Sequence, residues 1–143
     1  NVYCCGLWLK DSLNYQCVER LKMSEKYIPS DSWTIASLLH DLGKASYHDK
    51  PNYTPNYLKS GQISATKPYE TNPDRLYIPH EIVSVMIAKQ FIELTEEEEF
   101  AILYHNGLYT PMGRGISGKE RPLQLLLHFA DLWCSRVVEK EAE

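Results

Sequence analysis

The stretch Trp33-Thr34-Ile35-Ala36-Ser37-Leu38-Leu39 leaves a helix almost no polar side. Such a helix is stable only when neighbours cover it from several directions, so it predicts a central, buried element with the rest of the chain packed around it. Pro29 closes the preceding segment, and Ser30 and Asp31 are good N-cap types at the start. The helix runs directly into His40 and Asp41, and Gly43 is its natural stop. An ionised carboxylate in apolar surroundings needs a cationic partner or a metal. The plain alternative is a helix terminus with a satisfied histidine and an exposed aspartate.

Helical spacing continues on both sides. Residues 7–27 place Leu9, Leu13, Tyr15, Cys17, Leu21 and Met23 on one loosely helical pattern and predict a single long helix. Residues 80–93 predict a helix with Ile82, Val83, Met86, Ile87 and Phe91 inward and His80 in its first turn. Thr95 caps the next helix, with Glu98 in the reciprocal position of a capping box and Glu96 to Glu99 at its positive end. That helix carries Phe100, Ala101, Leu103 and Tyr104 to His105, and Asn106-Gly107 ends it. Pro122 opens a last helix with Leu125, Leu126, Phe129 and Leu132, running to about Lys140. The expected fold class is all-α, a bundle of about five to seven helices in one domain over 1–143, with strand content near zero.

Two segments break the pattern. Residues 45–79 carry Pro51, Pro55, Pro68, Pro73 and Pro79 with Tyr47, Tyr53, Tyr57, Tyr69 and Tyr77, and sustain neither period. They read as a long loop, either a solvated insertion or a lid, and the tyrosines offer faces for stacking bases. Residues 107–120, with Gly107, Gly113, Gly115 and Gly118, read as a flexible loop.

A chain of 143 residues can bury a core without disulfides. With 15 basic and 19 acidic residues the net charge is −4, which counts against a broad non-specific nucleic-acid surface but not against a small anionic substrate. The four cysteines, Cys4, Cys5, Cys17 and Cys134, show no CxxC spacing and read as small buried hydrophobes of a reducing compartment. No run approaches the roughly 18 apolar residues of a membrane span, and no secretory signal is visible, so a cytoplasmic location without membrane contact is expected. Asn1 stands where a start methionine would, which fits a fragment or a processed form. Nothing in the residues sets the oligomeric state.

Chemistry concentrates at helix ends. His80, His105, His128 and Asp131 each adjoin apolar helix, and His128 and Asp131, three apart, share a face. Imidazole and carboxylate without thiolate suit manganese, iron, magnesium, zinc or nickel. The segments 37–45 (SLLHDLGKA), 79–84 (PHEIVS), 103–107 (LYHNG) and 122–133 (PLQLLLHFADLW) resemble the successive metal-binding motifs of the HD-domain superfamily of metal-dependent phosphohydrolases. They are similar to small bacterial and phage members and to the HD domain of certain exoribonucleases, and 6–14 (GLWLKDSLN) resembles the opening motif.

The resemblance implies a helical HD bundle with one or two divalent ions. It places Asp11, His40, Asp41 and Asp131 around a first metal, with Asp11 where the family has a histidine. Asp41 would bridge to a second metal held by His80 and His105. Metal-activated water would then hydrolyse a phosphate ester of a nucleotide or related small molecule. Asp41 and Lys44 are the expected catalytic residues, with Lys44, His128, Arg114 and Arg121 facing substrate and His128 orienting Asp131. His48 is a surface residue or a proton shuttle. The alternatives are a nuclease acting on RNA or DNA, a degenerate domain that binds a ligand without catalysis, and di-iron oxygenase chemistry.

Overall fold

Ser30–Leu39 forms the central helix, α2, in a computed structural model that describes residues 1–139. Trp33 and Ala36 are fully buried, as the apolar pattern requires, but Leu38 is exposed, so the helix keeps one solvent side. Before it, α1 spans Val2–Asn14 rather than reaching Tyr27. A π-helical turn, Tyr15–Arg20, follows, and the chain reverses through Lys22 in the left-handed region. The Asn14 amide donates to the Ile28 carbonyl at 2.9 Å and accepts from the Ile28 amide at 2.8 Å. This side-chain clamp across 14 residues holds the return segment against α1, and a count of periods does not register it.

The α1–α2 contact depends on one missing side chain. A β-carbon on Gly6 would lie 2.1 Å from Trp33 Cζ2, and the indole Nε1 donates to the Tyr3 carbonyl at 3.2 Å. The indole is therefore held and has nowhere to withdraw. Gly6→Ala is expected to cost about 1–3 kcal/mol in urea unfolding, the usual range for overpacking. A loss under about 0.5 kcal/mol, the range of neutral surface changes, would show that the indole yields freely.

Three further helices complete the frame: α3 (His80–Ala88), α4 (Glu96–Leu103) and α6 (Pro122–Trp133). The expected capping box forms at α4, with Thr95 Oγ1 accepting from the Glu98 amide and Glu98 Oε2 accepting from the Thr95 amide. Helix α6 packs on α1, α2 and α4, and these share a core of Trp33, Ala36, Ala101, Ile102, Leu126 and Leu127. Past Trp133 it continues as a π-helical turn, Cys134–Val138; the expected end near Lys140 lies outside the described residues. Cys134 is buried as expected, whereas Cys4 is exposed.

The glycine-rich segment is not a free loop. It holds a 3-10 turn, Gly107–Tyr109, and a short helix, α5 (Pro111–Arg114), capped by Thr110. A β-carbon on Gly113 would lie 1.7 Å from the Gly107 carbonyl, so this glycine serves close packing.

Residues 45–79 depart furthest from expectation. They contain two antiparallel two-stranded sheets, β1 (Ser46–Tyr47) with β2 (Lys50–Pro51) and β3 (Tyr53–Pro55) with β4 (Tyr69–Thr71). His48 and Asp49 between β1 and β2 both have positive φ, as a two-residue hairpin turn demands. Strands of two or three residues are too short for a period to appear. The segment is rooted on the end of α2: the Asn52 amide donates to Ala45 at 3.1 Å, and the Arg75 guanidinium donates to the Gly43 carbonyl at 3.2 Å. Among the described residues, no helix is long and apolar enough to cross a membrane.

Candidate metal centre

Four elements bring ionisable groups to one place. His40 is the C-cap of α2, Asp41 follows it, His80 opens α3, His105 lies just past α4 and Asp131 sits in the last turn of α6. The end of α2 is held against α3 by Ser84, whose hydroxyl donates to the His40 carbonyl at 2.7 Å and accepts from the Gly43 amide at 2.8 Å. Gly43 does not end the helix through a left-handed φ. It lets the backbones meet, since a β-carbon there would lie 2.2 Å from the His80 carbonyl oxygen.

The histidines are oriented alike. His40 Nδ1 lies 2.9 Å from the Ser37 carbonyl and His105 Nδ1 lies 2.7 Å from the Ile102 carbonyl. A carbonyl only accepts, so each Nδ1 carries its proton and each neutral ring presents Nε2 as a lone pair. His80 Nδ1 faces the Glu81 carboxylate at 3.4 Å, with the same consequence. The three Nε2 atoms converge with carboxylate oxygens. His40 Nε2 is 3.5 Å from Asp41 Oδ2 and 3.7 Å from Asp131 Oδ1. Asp41 Oδ1 is 3.3 Å from His80 Nε2 and 3.7 Å from His105 Nε2. Asn106 Nδ2 points a hydrogen toward this space, 3.2 Å from His105 Nε2, yet His40 Nε2 and Asp41 Oδ1 are buried with no hydrogen-bond partner.

Asn106 serves the His105 side, but His40 Nε2 and Asp41 Oδ1 are buried acceptors with no donor, an arrangement that costs free energy unless a cation enters it. The donor set therefore fits a divalent metal. His40, His105 and Asp131 form one group and Asp41, His80 and His105 another, with ligand atoms in each within 4.8 Å of one another.

The proton affinities agree. Burial alone would raise the Asp41 carboxyl, but His80, Lys44 and His40 outweigh it and hold it well below the usual carboxylate range. Asp131 is lowered, chiefly by its contact with His40. Burial pushes His105 down to about 4, so it stays a neutral imidazole, the form that ligates. Burial also opposes charge on His40, yet Asp131 and Asp41 prevail and its affinity for a proton rises. The two carboxylates thus draw positive charge to the point where a metal would stand.

One buried group of this centre is absent from the sequence expectations. Glu81 is only 3 % exposed; its Oε1 accepts from Asn106 Nδ2 at 2.7 Å while Oε2 faces His80. A glutamate directly after a candidate ligand was the available signal, masked because adjacent helical residues normally diverge. Glu81 orients the His80 ring and stabilises its ligating tautomer. Glu81→Gln is expected to weaken manganese binding roughly 10- to 100-fold, read by calorimetric titration, with an unchanged circular dichroism spectrum. Unaltered affinity would remove Glu81 from the centre.

Other expected site residues lie elsewhere. Asp11 is 68 % exposed and pairs with Lys10 at 3.0 Å; it enters neither ligand group. The inward position beside it belongs to Lys10, buried with its ammonium on Ser30 Oγ at 2.8 Å, and one residue further round α1 points to solvent. His128 does not orient Asp131: its Nδ1 donates to the His105 carbonyl at 2.7 Å. Gly107 leaves room for that ring, since a β-carbon there would meet it at 2.8 Å. Arg114 donates to the Leu108 carbonyl and Arg121 pairs with Glu97, so neither is drawn to the centre. Lys44 is drawn there, with Nζ 2.8 Å from Asp41 Oδ2, and His48 is exposed at its turn.

No family model, curated protein or solved structure matches the chain.

Proposed function

We propose that this chain is a metal-dependent hydrolase of phosphate esters, built as an HD-type helical bundle. The observation that carries the reading is the convergence of His40 Nε2 and Asp41 Oδ1, both buried and unpartnered, with the ligating nitrogens of His80 and His105 and the carboxylate of Asp131. His105 Nε2 has one lone pair and would serve one ion, with His80 and Asp41; His40, Asp131 and Asp41 would hold the other. A bound divalent ion supplies Lewis-acid polarisation of a phosphoryl oxygen and makes water more acidic. Hard-to-borderline ions such as manganese, iron, magnesium or zinc suit this mixture of imidazole and carboxylate.

The remaining residues do the positioning. Asp41 contacts His40, His80 and Lys44, so it fixes the ligands relative to one another and to a cation. The Lys44 ammonium, 39 % exposed beside Asp41, places positive charge where an anionic ester would approach. His105 is closed off at 1 % exposure, whereas the side chains of Asp41 and His80 are 35 % and 22 % exposed, so substrate enters over those two.

The test is metal content by mass spectrometry, then incubation with manganese, iron, magnesium or zinc and a panel of nucleotides and bis-(p-nitrophenyl) phosphate. Hydrolysis under at least one metal is expected; none under any would sink the proposal. A protein that carries no metal and cannot be loaded would instead favour ligand binding without catalysis. Manganese at a hundred times its Kd should add about 2.7 kcal/mol to stability, seen as a rise in Tm that chelator reverses.

A further inference from the structure

The β3–β4 extension is patterned the wrong way round for a sheet that packs on its own domain. Antiparallel sheets with one covered face normally turn apolar residues inward. Here Asn52, Thr54, Asn56, Glu70 and Asn72 are the more covered residues, and Tyr53, Pro55, Tyr57, Tyr69 and Thr71 are exposed. The register sets the exposed residues on one face: Tyr53 opposes Thr71, Pro55 opposes Tyr69, and Tyr57 bridges to Ile63. Tyr53, Tyr57 and Tyr69 are 48 %, 62 % and 62 % exposed. Residues 45–79 carry Lys50, Lys59, Lys67 and Arg75 against Asp49, Glu70 and Asp74; Lys50 donates to the Asp74 carbonyl, Arg75 to the Gly43 carbonyl, and Glu70 lies on the face opposite the tyrosines, while Lys59 and Lys67 are exposed.

Exposed aromatic rings on one face, in a segment that also exposes Lys59 and Lys67, fit one ligand chemistry. Successive bases stack on the rings while ammonium groups meet the phosphates. The geometry points to a single-stranded nucleic-acid platform on the Tyr53–Tyr57–Tyr69 face. The segment is anchored at Ala45, one residue past Lys44, which joins it to the chain that carries Asp41 and Lys44. The assignment rests on the phosphoester reading of the metal centre and narrows its substrate to a polymer, since a mononucleotide has no second base to stack. The general acidity of the chain opposes binding elsewhere on its surface, which confines a strand to this segment.

The test uses a short fluorescein-labelled oligothymidylate and anisotropy at low salt, in chelator and in parallel with manganese. Binding that weakens with salt is expected in both, with thymidine monophosphate a poor competitor. Tyr57→Ala and Tyr69→Ala should each weaken it roughly fivefold to a hundredfold, while Tyr57→Phe, which keeps the ring, stays within about twofold. No binding by the unaltered chain, or equal binding by the alanine variants, overturns the proposal. So does a dimer that Tyr57→Ala dissociates in a chain that ignores the oligonucleotide, because the face then serves a second copy. Manganese content measured on the same samples separates the two readings: oligonucleotide binding without metal binding defeats the hydrolase alone, and the reverse defeats the platform alone.

Discussion

Asp41→Ala is expected to leave a folded protein with little bound divalent metal and no phosphoester hydrolysis. Asp41 lies 3.3–3.7 Å from the Nε2 atoms of His40, His80 and His105, so its removal takes a carboxylate from beside all three candidate ligands. The loss of manganese affinity should exceed the roughly 10- to 100-fold that an outer partner such as Glu81 costs. Asp41→Asn is the sharper variant. It keeps the shape and the contact with Lys44 but removes the charge that holds a cation. Metal content near that of the unaltered protein in Asp41→Asn would show that the charge of Asp41 is not needed, and would leave the proposal resting on its oxygen contacts alone. The same content in Asp41→Ala would end it.

Gly43→Ala is expected to cost about 3 kcal/mol or more, the upper end of the overpacking range. The added carbon would meet the His80 carbonyl oxygen at 2.2 Å and the Ser84 amide at 2.9 Å, which are backbone atoms and cannot swing aside. Relief requires α3 to move away from the end of α2, and that movement carries His80 away from Asp41. Urea unfolding and manganese titration should therefore fall together. Ser84→Ala is the useful comparison. It leaves the spacing intact but strands the Gly43 amide and the His40 carbonyl, at about 1–3 kcal/mol. A Gly43→Ala protein of ordinary stability would show that the contact between α2 and α3 is soft.

The helices were legible because each buries one face, and burial writes its period into the residues. Thr95 and Glu98 announced their capping box at fixed spacing, and the Trp33–Leu39 run announced a central helix. The candidate ligands were legible for a related reason: His40, His80, His105 and Asp131 interrupt apolar stretches where an ionisable group has no cheap solvent exit. Asp11 was misplaced because nothing local separates it from Lys10; the Lys10–Ser30 contact, across 20 residues, decides which of the two turns inward. Glu81 went unnoticed because its partner Asn106 lies on another element, 25 residues away.

The residues by themselves therefore determined that the chain is mostly helical and that histidines and aspartates sit at the ends of those helices. Both follow from hydrophobic periodicity and from the cost of burying charge, which act locally along the chain. Only the tertiary structure decided which of those groups meet, that Gly43 is a point of backbone contact and not a stop, and that residues 45–79 fold into small sheets with their tyrosines outward. Each of these depends on contacts between segments far apart in sequence, whose geometry no periodicity encodes.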